Sequence, residues 1–311
     1  GFVYEAVQTN TIAVTAKAAW GWDEHAVGVA LVIMTAPIIF GGIRRVSRFA
    51  EMLVPLMATL YLLMALYIIV TNISLIPHVF GQIFDSAFNF KAAGGGLLGG
   101  LISQTMMIGI KRGLYSNEAG QGSAPNAAAA AEVKHPVSQG MIQMLGVFVD
   151  TIIVCSCTAF IVLVYQQPYG NLNGAELTQA AIISQVGAWG ADFLAIILFM
   201  FAFSTVIGNY AYAESNVQFI KNHWLLTALF RMLVLGWVYF GAVANVPLIW
   251  DMADMAMGTM AWINLVAILI LSPLAFLLLR DYTAKLKMGK DPVFKLSEHP
   301  GLKRKIKPDI W

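Results

Sequence analysis

Residues 108–131 read IGIKRGLYSNEAGQGSAPNAAAAA, and the rest of the chain has to be understood around them. The run has the length of a membrane-crossing segment, yet it carries Lys111, Arg112, Asn117 and Glu118. An ionised side chain at mid-bilayer costs about 2.5 kcal/mol or more even on the mildest scale, so these groups must pair or line a wet cavity. Gly113, Gly120, Gly122 and Pro125 weaken the helix in the same place. The backbone groups they free can be tolerated only where protein or a polar ligand satisfies them. A discontinuous helix is therefore expected, whose half-helix ends offer N–H groups to a carboxylate and carbonyls to a cation. The structural alternative is a kink in which Glu118 pairs with Lys111 or Arg112.

The surrounding composition agrees with a lipid environment. Of 311 residues, 59% are hydrophobic and 12% charged, and the mean hydropathy is +0.71, far too apolar for a soluble domain of this size. A helix needs about 20 apolar residues to cross the bilayer core. Runs of that kind extend approximately from Val27 to Ile43, Met52 to Thr71, Leu97 to Ala131 with a break, Ser138 to Tyr165, Phe193 to Phe219, Trp224 to Ala244, and Trp250 to Leu279. Phe2 to Ala19 resembles the tail of a further span. The expected fold class is thus all-α, a polytopic transmembrane helix bundle. The chain opens at Gly1 and enters apolar sequence without a signal peptide's charged start or cleavage site, so it is expected to be a piece of a longer protein.

Basic residues collect on the cytoplasmic side of such a bundle. Arg44, Arg45 and Arg48, then Lys134, then Lys221 mark alternate connections. The stretches 166–190 and 245–247 contain no Lys or Arg, and 72–96 contains only Lys91. Lys17 blurs the first outer side. Residues 281–311 form a basic tail through Lys285, Lys287, Lys290, Lys295, Lys303, Arg304, Lys305 and Lys307, which places the C-terminus in the cytoplasm. Cys155 and Cys157 lie two apart in one apolar segment, project from different sides of a helix, and read as small core residues rather than a disulfide.

The stretch GIKRGLYSNEAGQGSAPNAAAAA, followed by HPVSQGMIQMLGVFVDTIIVCSCTA, closely resembles the alanine or glycine:cation symporter family. The resemblance continues through RRVSRFAEMLVPLMATLY, FMFAFSTVIGNYAYAE and IWDMADMAMGTMAWINL, covering essentially the whole chain. It implies a LeuT-type inverted-repeat fold in which this chain supplies core helices three to ten as one integral membrane domain, without the first helices. It further implies sodium-coupled symport of a small neutral amino acid, alanine or glycine, across a bacterial-type inner membrane, with no cofactor beyond the coupling ion. The partners implied are the amino acid, sodium and the lipid bilayer; no nucleic-acid motif is present.

In such a family a glutamine of the third helix and the unwound part of the sixth contact the amino acid. By resemblance these are Gln8 and the run Tyr115 to Ser123, including Ser116, Asn117, Gly120 and Gly122. For Gln8 the structural alternative is a helix-packing hydrogen bond with Asn10 or Thr11. The Ser204 and Thr205 hydroxyls with the Phe201 carbonyl would make a hard-oxygen sodium site. Ser and Thr in membrane helices more often bond a carbonyl one turn back. Asn209 stands one turn beyond Thr205, where some members carry a tryptophan, and a residue this small and polar leaves room for a larger or more polar substrate. Protons remain an alternative coupling ion.

Asp150 is an intramembrane carboxylate suited to ion coupling or to polar packing, and Glu214, near the cytoplasmic end of its helix, can pair with Arg231 as an inner gate or, on the simpler reading, snorkel to the interface. Met252 to Met260 reads as packing, and Pro37, Pro55 and Pro273 as kinks. A membrane enzyme is the remote alternative. His25, His78, His135, His223 and His299 fall in expected loops or ends, and neither HExxH nor GxSxG occurs.

Overall fold

The structure, a computed structural model, describes residues 1–41, 43–88, 104–165, 167, 168, 170 and 172–302, without the side chains of 43–50, 86–88 and 104–105. The regular structure among them is helical. In chain order it comprises α1 (Val3–Trp20), α2 (Glu24–Ile39), α3 (Ile43–Thr71), α4 (Ile76–Phe88), α5 (Gln104–Asn117), α6 (Ala124–Ala129), α7 (Pro136–Phe148), α8 (Ser156–Val164), α9 (Gly174–Val186), α10 (Trp189–Ile220), α11 (Trp224–Val243) and α12 (Val246–Lys287). A π-helical segment, Val149–Cys155, joins α7 to α8. Asp150 therefore sits at a register change inside a continuous apolar passage, Pro136–Val164.

Long apolar helices cover Glu51–Thr71, Pro136–Val164, Trp189–Ile220, Trp224–Val243 and Val246–Lys287, matching the expected spans. The crossing expected from Val27 to Ile43 is displaced toward the N-terminus, because α2 starts at Glu24, capped by Asp23 Oδ1 on the amides of His25 and Ala26, and ends at Ile39 after 16 residues. At 1.5 Å per residue that is about 24 Å, less than the hydrocarbon core. The first part of the expected 97–131 crossing, the side chains of Arg44, Arg45 and Arg48, Lys91, and the tail from Lys303 lie outside the described residues. Pro37, Pro55 and Pro273 stand inside α2, α3 and α12, which continue through them.

The stretches read as outer connections contain α4 and α9, each 13 residues long. A search for membrane-length apolar runs cannot see them. In α4 the apolar residues Ile76, Val79, Phe80, Ile83 and Phe84 follow the helical period over too short a length to span. In α9, Thr178, Gln179, Ala181 and Ile182 are buried, so this connection carries packing of its own.

Two compact units divide the chain. One comprises Gly1–Gly113 and Thr151–Met257. Here α1 lies against both α10 and α11, and Gly241 sets the approach to α11. A Cβ at Gly241 would stand 2.4 Å from Ala6 Cα and 2.3 Å from Thr9 Oγ1. The Asn10 side-chain amide donates to the Gly241 and Ala244 carbonyls at 3.0 and 2.8 Å, supplying partners that the end of α11 cannot find within itself. Ile12, Leu31, Phe203, Ile207, Val234 and Val238 form one core cluster. Met57, Tyr61 and Ile68 of α3 form another with Ile161, Ile182 and Leu194. Cys155 and Cys157 form no disulfide and are partly buried, and Cys157, on α8, packs against the second cluster.

The other unit comprises Leu114–Asp150 and Gly258–Trp311. After Lys287 the chain folds back, burying Phe294, Leu296 and Leu302 against Leu274 and Leu278. His135, expected in a loop, is fully buried and caps α7, accepting from the Val137 amide. Its Nε2 lies 3.1 Å from Asp281 Oδ2. Lys285 bridges Asp281 and Glu298 at 2.8 Å each, and the Phe294 amide donates to the Lys134 carbonyl. The start of the expected basic tail is thus helix and fastened chain, since Lys285 is held by carboxylates of its own segment.

Candidate functional site at the helix break

Helix α5 stops at Asn117 and α6 begins at Ala124. The discontinuity expected from sequence is present, built by a sequence of backbone hands. Glu118, Gly120 and Gly122 have φ of 53°, 79° and 91°, whereas Ala119 and Gln121 do not enter the left-handed region. Glycine adopts that conformation without penalty, while Glu118 holds it at a cost of about 1 kcal/mol or more. Alternating hands turn successive N–H groups toward one concave side, an arrangement suited to an anion.

The hydrogen bonds in the break have a consistent polarity. The Gln121 amide donates to the Glu118 carbonyl at 3.2 Å. Asn264 Nδ2 donates to the Gly120 carbonyl at 2.9 Å, and Asn126 Nδ2 reaches those of Gly122 and Ser123 at 3.3 and 3.1 Å. The buried Gln121 side chain ties back to Leu114 O at 2.6 Å. Among the amides, Glu118 continues the helix to Leu114 O and Ala119 is taken by Asn117 Oδ1. Those of Gly120, Gly122 and Ser123 have no partner among the described residues. With four carbonyls engaged and three donors open, the break presents hydrogen-bond donors, the complement of a carboxylate. Of the expected contacts here, Gly120, Gly122 and Ser123 lie in the break. Tyr115, Ser116 and Asn117 lie on the last turn of α5, where Asn117 serves the turn itself.

The remaining expected residues belong to the first unit. On α10, the Ser204 and Thr205 hydroxyls both donate to Phe201 O at 2.9 Å. This is the back-bonding common in membrane helices, and it also gathers three oxygens whose hydroxyl lone pairs remain unengaged by these bonds. Asn209 is buried at 8% exposure, and its Nδ2 has no partner among the described residues. Gln8 is half-buried on α1 and has no helix-packing hydrogen bond among the described residues; Asn10 takes that role toward α11.

Asp254 answers the charges that made the break conspicuous. It lies 3.3 Å from Lys111 Nζ and 3.0 Å from Arg112 Nη2, and the Arg112 guanidinium stacks 4.1 Å above the Trp250 ring. Arg112 and Trp250 also line a cavity of about 600 Å³ with Asn10, Asn173 and Glu176. The alternative pairing of these cations with Glu118 is not what the structure shows. Reading Met252 to Met260 as packing overlooked Asp254, which an intramembrane-carboxylate rule would have flagged. Asn264 carried no comparable signal, because a lone Asn in an apolar helix says nothing of its partner.

Glu214 does pair with Arg231, at 2.6 Å. Arg231 Nε donates to the Tyr210 hydroxyl at 3.0 Å, that hydroxyl donates to Glu214, and Gln218 Nε2 donates to Glu214 at 3.0 Å. The pair is mostly buried, and the hydrogen bonds around it compensate its desolvation.

These features define a multi-pass α-helical membrane protein with a discontinuous helix whose break offers unpaired amides. The chain belongs to the sodium:alanine symporter family, whose profile matches residues 1–296. It is 55% identical over 308 residues to an uncharacterized transporter of Haemophilus influenzae, covering 98% of this chain and 64% of that protein. It is 46% identical to the amino-acid carrier protein AlsT of Bacillus subtilis, covering 97% and 64% of the two chains. It is 44% identical to a second Bacillus subtilis protein named probable sodium/glutamine symporter GlnT, covering 97% and 63%. The chain thus spans less than two thirds of the length of these relatives.

Proposed function

We propose that this chain forms the greater part of a sodium-coupled amino-acid symporter of LeuT-type fold, working by alternating access in a cytoplasmic membrane with its C-terminus inside. The observation that carries the reading is the break between α5 and α6, where the amides of Gly120, Gly122 and Ser123 are open while the carbonyls of Glu118, Gly120, Gly122 and Ser123 are held. A substrate carboxylate is the group this arrangement suits. In this reading Gln8, Tyr115, Ser116 and Asn117 complete the amino-acid contacts, and Phe201 O with the Ser204 and Thr205 hydroxyls ligates sodium. Ion and substrate bind together, so each raises the affinity for the other by the same factor.

Alanine or glycine is the substrate that the family's name favours. A second reading, a larger polar amino acid, is supported by the buried, unpartnered amide of Asn209 and by the relative named for glutamine. Proteoliposome uptake of labelled alanine, glycine and glutamine by the full-length gene product, with inward sodium or proton gradients, separates these readings. Sodium-driven uptake is expected, and Thr205→Val should raise the half-saturating sodium concentration about ten-fold, the loss of one ligating oxygen. Uptake independent of both gradients, or none, would overturn the symport reading.

A further inference from the structure

The open amides of the break are useful only if the loop keeps its shape, and three left-handed residues in five do not keep it unaided. We propose that Asn264 on α12 is the positioning residue that fixes this loop for the carboxylate, an inference that rests on the transport reading above. Its Nδ2 donates to Gly120 O at 2.9 Å. The same side chain also sits against Gly122, where a Cβ would stand 3.1 Å from both Cγ and Oδ1 of Asn264. One amide thus holds the loop at both glycines, by a hydrogen bond at the first and by shape at the second.

The direction of the bond matters as much as its presence. The Gly120 carbonyl shares its planar peptide with the Gln121 N–H, which donates to Glu118 O, so the bond from Asn264 pins the peptide that stands between those carrying the open Gly120 and Gly122 amides. If Gly120 were to turn over, an acceptor would face the substrate where the donors now stand. Asn264 opposes that flip directly, and Asn126 restrains the Gly122 and Ser123 carbonyls in the same sense. Asn264 need not touch the substrate to set its affinity.

Asn264→Leu is the decisive variant, because it keeps a similar volume and removes the donated proton without adding a charge. In the full-length protein in nanodiscs or proteoliposomes, we expect the half-saturating amino-acid concentration to rise about ten-fold, the loss of one hydrogen bond to a part-buried carbonyl. The maximal rate per inserted protein should change much less, and hydrogen exchange in the peptide covering 118–123 should accelerate while α7 is unchanged. Asn264→Gln, with the donor on a longer arm, should recover part of the affinity. If Asn264→Leu fails to accumulate, Asn264→Ala, which removes the same donor with less side-chain bulk, carries the same expectation. Wild-type affinity and wild-type exchange in the substituted protein would overturn the proposal. Absence of uptake by the unsubstituted protein would instead sink the transport reading, and the exchange measurement would still judge whether Asn264 holds the loop.

Discussion

Gly241→Ala tests the packing of α1 against α11 most sharply, because two effects of opposite sign compete there. In an unhindered helix interior, replacing Gly by Ala stabilises by up to about 1 kcal/mol through backbone entropy. At Gly241 the new methyl would stand 2.4 Å from Ala6 Cα and 2.6 Å from Ala6 O, atoms of the facing backbone that cannot swing aside. Ordinary carbon contacts lie at about 3.5–4.0 Å, so the helices must part by roughly 1 Å. Overpacking of this kind costs about 1–3 kcal/mol. Separation also stretches both hydrogen bonds from Asn10, at about 0.6 kcal/mol each in membrane helices. The net expectation is a loss of about 1–3 kcal/mol, an apparent melting temperature in detergent lower by several degrees. Gly236→Ala on the same helix, where a Cβ would meet nothing within 4 Å, is the internal control and should be neutral or stabilising. Equal behaviour of the two variants would refute the close approach of α1 and α11.

Two further expectations concern charges. Arg231→Met leaves Glu214, only 7% exposed, without its cation, and should destabilise by about 3 kcal/mol; adding Glu214→Met should restore most of that in a thermal-unfolding double-mutant cycle, and additive losses would show the pair to be uncoupled. At the C-terminal segment, Lys285 holds the Glu298 carboxyl below its ordinary range, and Asp291 holds the Lys134 ammonium above its own. The first contact is therefore lost only as pH falls below about 4, and the second only as it rises above about 10. Limited proteolysis after Lys287 should be flat across the neutral range and increase at either extreme, whereas release near pH 6–7 would contradict these contacts.

Composition and the residue 108–131 run were sufficient to read a lipid-embedded helical bundle with an interrupted helix, because lipid cannot hydrate a charge or an unpaired peptide group, and the sequence shows where both occur. Likewise, Gly120 and Gly122 were legible as points where the helix weakens, whereas their left-handed backbone was visible only in the structure. The short helices α4 and α9 were not legible from the search for spans, which is blind to helices shorter than a membrane crossing. Nor were the partners: Asp254 for Lys111 and Arg112, Asn264 for Gly120, and Lys285 for Asp281 and Glu298. Except for Lys285 and Asp281, one turn apart on α12, these pairs are separated by many residues. A sequence announces that a buried charge or a freed carbonyl must be satisfied, but which distant group satisfies it depends on which helix faces come together, and only the tertiary structure decides that.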